Sequence, residues 1–305
     1  MNAVLTTVVA FYGLAVPTAT LFDDRGDVDP ERNRSFIRGL CEGGMEHAFA
    51  LGSLGEFPLL ERDERDRLLR AVRDGLTGTT DLWVGCGAPS TRQALALTRA
   101  AEASGAAVIV AVAPYYLHPE PAAIARYYRA LRAATKLPLF AYNIPSLVGY
   151  AIAPSLVHEL ARDGTLQGVK DTSGSLASVR SFLQGAPSGF AVLPGDDALA
   201  AASIREGAAG AIMGSANVLP KLGAELVSAA HRGDEASVQR LQGVLEHLMA
   251  VLHAGPFPAS GKFLARRLRG APDGYRSPYD PLTPEEETRV LAALAPYDKE
   301  LAGFR

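Results

Sequence analysis

The feature that most constrains this chain is an alternation. From residue 13 to about 215, short apolar runs and longer amphipathic stretches follow one another in regular order. The apolar runs fall at 13–16, 47–51, 82–86, 107–112, 138–142, 166–170, 191–193 and 209–213. Each is too short for a helix and is mainly apolar along its length, which suits strands covered on both faces. Helical patterns lie between them at 30–41, 62–74, 91–103, 121–134, 154–161, 175–183 and 197–206. Many open with helix-start chemistry: Asp29 before Pro30, Ser90 before Thr91, Glu120 before Pro121, Ala153 before Pro154. Eight strand–helix units in series predict an α/β chain closed into a parallel (β/α)8 barrel. An open doubly wound sheet is the competing arrangement, but no Gly-x-Gly-x-x-Gly follows the first strand.

Beyond Asn217 the alternation stops. Helical patterns alone remain, at 220–231, 234–253, 260–268 and 284–295. The expected division is a barrel over 1–217 carrying the site and a helical extension over 218–305 packed on it, with no Gly/Ser linker between them. A net charge of −3 and a pI of about 6.1 leave no basic footprint for nucleic acid or a membrane surface. No run approaches the ~20 apolar residues of a membrane span. The first ten residues carry no basic group, the first arginine being Arg25, so no secretory leader is expected. Cys41 and Cys86 sit in apolar surroundings as reduced core thiols would in a cytoplasmic protein. The six histidines show no ligand spacing, so no metal is expected.

A parallel barrel places its chemistry where the strands end and the loops to the helices begin. Lys170 closes the sixth apolar run, within Gly168-Val169-Lys170-Asp171-Thr172. A lysine there points into the barrel mouth, where partial desolvation favours the uncharged, nucleophilic amine. After the second run comes Gly52-Ser53-Leu54-Gly55-Glu56. Its glycines permit close ligand approach, and successive amides in such a turn can cradle a carboxylate. Pro114-Tyr115-Tyr116 follows the fourth run, and Tyr142-Asn143-Ile144-Pro145 ends the fifth. These tyrosines read either as core and interface residues or as phenols that relay protons beside Lys170. Gly195-Asp196-Asp197 follows the seventh; Asp197 suits a helix cap, and Asp196 a contact to substrate hydroxyls. Gly214-Ser215-Ala216-Asn217, after the eighth, either closes the pocket or caps the next helix.

Together these segments resemble one family, the dihydrodipicolinate synthase / N-acetylneuraminate lyase family of class I pyruvate-dependent aldolases. The match rests on GxxGE, PYY, YNxP and GxKD(T/S) in that order, over nearly the whole chain. The resemblance implies that Lys170 forms a Schiff base with C2 of pyruvate or another 2-oxo acid, with no other cofactor. It implies that Tyr142 moves protons, assisted by Ser53 and by Tyr116 supplied from an adjacent subunit. The turn at Gly52, with the amides of Ser53 and Leu54, would hold the substrate carboxylate, and the carbonyl of Ile212 would face the pyruvyl group. Gly195, Asp196 and Asp197 would line the substrate pocket. The family habit is a homotetramer, a dimer of dimers, whose partners are a small 2-oxo acid and an aldehyde.

Two departures bear on the substrate. The family's second threonine in GTTGE is here Leu54, which keeps the amide and loses the hydroxyl. Where dihydrodipicolinate synthases carry an arginine that grips aspartate semialdehyde, this chain has Leu147. Leucine cannot replace a charge-assisted hydrogen bond. The expected activity is therefore reversible cleavage of a 2-keto-3-deoxy sugar acid or 4-hydroxy-2-oxoglutarate to pyruvate and an aldehyde. The alternatives are dihydrodipicolinate synthesis, or a dehydratase or hydratase-aldolase using the same imine on sugar acids or arylidene pyruvates.

Overall fold

The computed structural model describes residues 11–305, so the expectation of no leader in the first ten residues lies outside the described residues. Eight strands run parallel: β1 Gly13–Pro17, β2 His47–Ala50, β3 Asp81–Gly85, β4 Val108–Val112, β5 Leu139–Asn143, β6 Gly168–Asp171, β7 Ala191–Pro194 and β8 Gly210–Ile212. Their order is β7-β6-β5-β4-β3-β2-β1-β8, each pairing with its sequence neighbour and β8 returning to β1. The Ala209 N–H donates to Val192 O across the β7–β8 seam at 3.1 Å, which brings the ring nearly to closure. This is a TIM barrel with C-terminal helices. The expected strands all form, displaced by no more than a residue or two at their ends.

The helices wrap the outside: α1 Pro30–Glu42, α2 Arg62–Gly75, α3 Thr91–Ala103, α4 Pro121–Ala134, α5 Pro145–Val148, α6 Pro154–Arg162, α7 Leu176–Leu183, α8 Ala200–Arg205 and α9 Pro220–Arg232. Asp29 caps α1 by accepting from the N–H groups of Glu31 and Arg32, and Ser90 caps α3 through Gln93. Glu120 and Ala153 make no side-chain cap; proline at the first turn, whose missing N–H has no partner to lose, starts those helices. The single helix expected at 197–206 divides into a 3-10 turn, Asp197–Leu199, and α8. The one-turn α5 was not anticipated.

β1, β4, β5 and β6 are buried at every position. Phe11, Trp83 and Phe140 pack edge to face inside, with Phe11 and Phe140 ring centroids 4.7 Å apart. After α9 the chain adds α10 Glu235–His253, α11 Ala259–Arg269, α12 Pro284–Leu294 and the short α13 Asp298–Ala302, the last also unanticipated. α10 and α11 pack against the turns that follow β7 and β8, placing the extension beside the barrel mouth. Among the described residues no helix is long and apolar enough to cross a membrane.

Candidate active site

The direction of Lys170 follows from strand periodicity. A β-carbon added to Gly168 would lie 2.6 Å from the Phe140 ring, so that face of β6 looks into the packed interior. Lys170 stands two residues further on and therefore points the same way. The β5–β6 register sets Tyr142 opposite Lys170. Lys170 is 4% exposed; its Nζ lies 4.1 Å from the centroid of the Tyr142 ring and 5.0 Å from that of Phe49. Burial alone would push the Tyr142 phenol up. The Lys170 ammonium, with hydrogen bonding from Ser53, Thr172 and Lys170, outweighs it and holds the phenol below its ordinary value. A phenol held low in this way, with an amine against its ring, is placed to give up and take back a proton.

The strand ends are locked together. Asn143 Nδ2 donates to Asp171 Oδ1 at 2.7 Å, the Ile152 N–H donates to Asn143 Oδ1 at 2.9 Å, and Ser173 Oγ donates to Asp171 Oδ2 at 2.9 Å. Asp171 is thereby satisfied and fixes the loop beyond Lys170. Gly195 also makes room for the lysine. A β-carbon there would meet Thr172 Oγ1 at 2.2 Å and Lys170 Cε at 2.7 Å.

The turn after β2 is held under strain. Among the described residues, the non-glycine residues in the left-handed region are Leu51, Glu56 and Tyr116, with φ of 59°, 54° and 74°. The first two bracket Gly52-Ser53-Leu54-Gly55. Strain of this kind, about 1–3 kcal/mol per residue, persists where surrounding structure enforces it. Here the enforcer is a buried ion pair: Glu56 Oε1 lies 2.6 Å from Lys262 Nζ on α11, and both side chains are 2% exposed. Burial pushes the Glu56 carboxyl up, against the pull of Lys262. The N–H groups of Ser53 and Leu54 are donated to no protein acceptor among the described residues.

The two aspartates, both expected to line the pocket, part company. Asp196 is the cap, accepting from the Ala198 N–H at 3.0 Å. Asp197 is buried and receives the Gly214 N–H at 3.1 Å, the Ser215 N–H at 3.0 Å and the Ser215 hydroxyl at 2.6 Å. Burial still raises its carboxyl above the usual carboxylate range despite those bonds. Asp197 thus ties the β7 loop to the β8 loop. Ile212 is buried in β8 and is not among the residues that line the cavity.

These elements enclose a cavity of about 290 Å3. Of the residues singled out in the sequence, Ser53, Leu54, Tyr142, Leu147, Lys170, Gly195 and Asp197 line it. Gly52 lies behind the wall, packed over Phe49. Tyr116 is absent from the cavity of its own chain and is 89% exposed. The sequence reading missed Thr172, although it stands in the lysine motif, and missed the roof. Met249, Leu252, Phe257 and Lys262 come from the extension and face the same cavity. Nothing in the helical periodicity of Met249, Leu252 and Lys262 separates them from ordinary core positions, and Phe257 stands in the turn between α10 and α11. Among the described residues no group of three or more histidine, cysteine or acidic side chains gathers as a metal site.

Fold and site define a parallel-barrel enzyme with a buried amine in its mouth. Known proteins agree. The chain is 34% identical over 288 residues to an uncharacterised DapA-like lyase of Halobacterium salinarum, covering 94% of each. It is 33% identical over 286 residues to the 4-hydroxy-tetrahydrodipicolinate synthase of an Azoarcus species, covering 92% of this chain and 97% of that one. The crystal structure of YagE from E. coli K12, described as a prophage protein of the dihydrodipicolinic acid synthase family in complex with pyruvate, superposes with a TM-score of 0.87 at 28% identity, covering 95% and 98%. Residues 10–296 match the Dihydrodipicolinate synthetase family, and the chain belongs to it. It is accordingly a pyruvate-dependent lyase, a class I aldolase whose family works through a lysine Schiff base without metal or other cofactor.

Proposed function

We propose that Lys170 is the Schiff-base lysine and that the enzyme joins pyruvate to an aldehyde, or cleaves the corresponding 4-hydroxy-2-oxo acid. The observation that carries this is the buried Lys170 amine set against the Tyr142 phenol. Nζ adds to C2 of the 2-oxo acid and water leaves, giving an iminium. In cleavage, Tyr142 takes the proton of the C4 hydroxyl, the C3–C4 bond breaks into the iminium, and an aldehyde departs. Protonation of the enamine at C3 and hydrolysis return pyruvate and free lysine. The unspent amides of Ser53 and Leu54 hold the C1 carboxylate, and the Ser53 hydroxyl keeps the phenol oriented. Tyr116, strained and exposed, reaches the site of a neighbouring copy, which requires at least a dimer. The cavity draws on residues from both sides of 217, so barrel and extension form one functional unit.

Condensation with aspartate semialdehyde is the second reading, favoured by relatives named as synthases. Leu147 at the cavity weighs against it, having no charge for a distal carboxylate. The test is reduction with borohydride in the presence of pyruvate, followed by peptide mass spectrometry. A pyruvyl adduct on Lys170, lost in Lys170→Ala, is expected. An adduct on another lysine, or none, refutes the assignment.

A further inference from the structure

The cavity's polar groups away from Lys170 are nearly all engaged. Asp197 receives three hydrogen bonds from Gly214 and Ser215. Asn217 accepts the Ala19 N–H at 3.0 Å and donates to Pro17 O and Gly214 O, both at 3.0 Å. Ser260 Oγ donates to Leu252 O at 2.8 Å. Lys262 is paired with Glu56 and donates to Gly274 O at 2.8 Å. Asp196, the remaining acid of the β7 loop, accepts the Ala198 N–H through Oδ1 and lines an adjoining cavity that shares Thr172, Gly195, Asp197, Met249 and His253 with this one. Among the described residues of this wall, His253, at the exposed end of α10, is the polar side chain left without a partner outside Lys170, Tyr142, Ser53 and Thr172. The rest of the wall is hydrocarbon: Phe36, Leu54, Ile144, Met249 and Leu252, with Leu147 and Phe257 at 66% and 62% exposure framing the mouth.

Among the described residues, a polyhydroxylated tail entering this space would surrender its water and find few free partners, His253 and Thr172 Oγ1 among them, and a distal carboxylate would find no lysine or arginine in the wall besides Lys170 and the paired Lys262. An alkyl or aryl tail would bury against it at no such loss. We propose that the aldehyde partner is apolar, an alkyl or aryl aldehyde, and that the cleavage substrate is a 4-hydroxy-2-oxo acid with a hydrocarbon tail. The inference rests on Lys170 carrying pyruvate, and it replaces the sugar acid and the dicarboxylate as the preferred substrate class. In the joining direction, C3 of the enamine bonds to the aldehyde carbon. The aldehyde oxygen takes a proton and becomes the C4 hydroxyl, and water releases the product from the lysine.

The test supplies pyruvate with pentanal, benzaldehyde, glyceraldehyde, glyoxylate or aspartate semialdehyde, and follows product by chromatography beside borohydride trapping. Pentanal and glyceraldehyde have the same number of non-hydrogen atoms, so their comparison isolates the hydroxyls. The expected kcat/KM for pentanal exceeds that for glyceraldehyde about tenfold or more. An adduct on Lys170 together with preference for glyceraldehyde, glyoxylate or aspartate semialdehyde, or with no turnover of either apolar aldehyde, overturns this inference alone. Absence of the adduct overturns the underlying reading and this inference with it. Met249→Gln places a free amide in the wall and is expected to lower the pentanal-to-glyceraldehyde ratio. Phe257→Gln does the same from an exposed position where folding is not at stake. An unchanged ratio in the folded variants shows that the hydrocarbon wall does not set the preference.

Discussion

Replacing Gly195 by alanine tests whether the seventh loop exists to make room for Lys170. The backbone of Gly195 lies outside the left-handed region, so alanine can adopt it and only the neighbours object. The new methyl would stand 2.7 Å from Lys170 Cε and 2.2 Å from Thr172 Oγ1. Carbon atoms rest at about 3.5–4.0 Å, so the lysine stem must retreat by about 1 Å. A displacement of about 1 Å at a reacting group typically slows a reaction on the order of a hundredfold. Overpacking costs about 1–3 kcal/mol of stability, partly offset by about 0.4–1 kcal/mol from the stiffer unfolded chain. Gly195→Ala is therefore expected to fold, to lose about 1–2 kcal/mol in urea denaturation, and to form the pyruvyl adduct roughly a hundred times more slowly. The adduct is timed by quenching with borohydride and reading the Lys170 peptide by mass spectrometry. An adduct formed at the wild-type rate by a folded variant refutes the steric argument.

Lys170→Met removes the cation that lowers the Tyr142 phenol and leaves the burial that raises it, so the phenol should move up. A spectrophotometric pH titration should show a tyrosine ionising below the ordinary value of 10.0 in the wild type and not in the variant; one that stays put places its cause elsewhere. Lys262→Met strands the Glu56 carboxylate, both side chains being 2% exposed, and should cost about 3 kcal/mol or more in urea denaturation. Adding Glu56→Gln should recover part of that loss, and a single-variant loss under about 1 kcal/mol would show that the pair does not brace the turn.

The barrel was legible because its signals are local. A strand buried on both faces is an apolar run, and a helix announces its start with Asp29-Pro30 or Ser90. Lys170 was legible for the same reason: its place at the end of an apolar run determines which end of the barrel it reaches. The roles of Asp196 and Asp197 could not be separated in the sequence because each is one residue from a turn, and the choice between cap and cavity depends on Ser215, 18 positions from Asp197. The split of the 197–206 helix has the same origin, since Asp197 is drawn toward the β8 loop.

The order of strands, the barrel they close and the positions at their C-terminal ends were determined by the sequence alone, since periodicity and caps act over a few residues. Tertiary structure alone decided which polar groups remain free to meet a ligand. A carboxylate or an amide is available only if no distant partner has claimed it. The partners of Asp197, Asn217 and Glu56 come from the β8 loop, the strand-end loops and α11. The same is true of space: only the folded chain sets Lys170 and Thr172 where a side chain at Gly195 would stand.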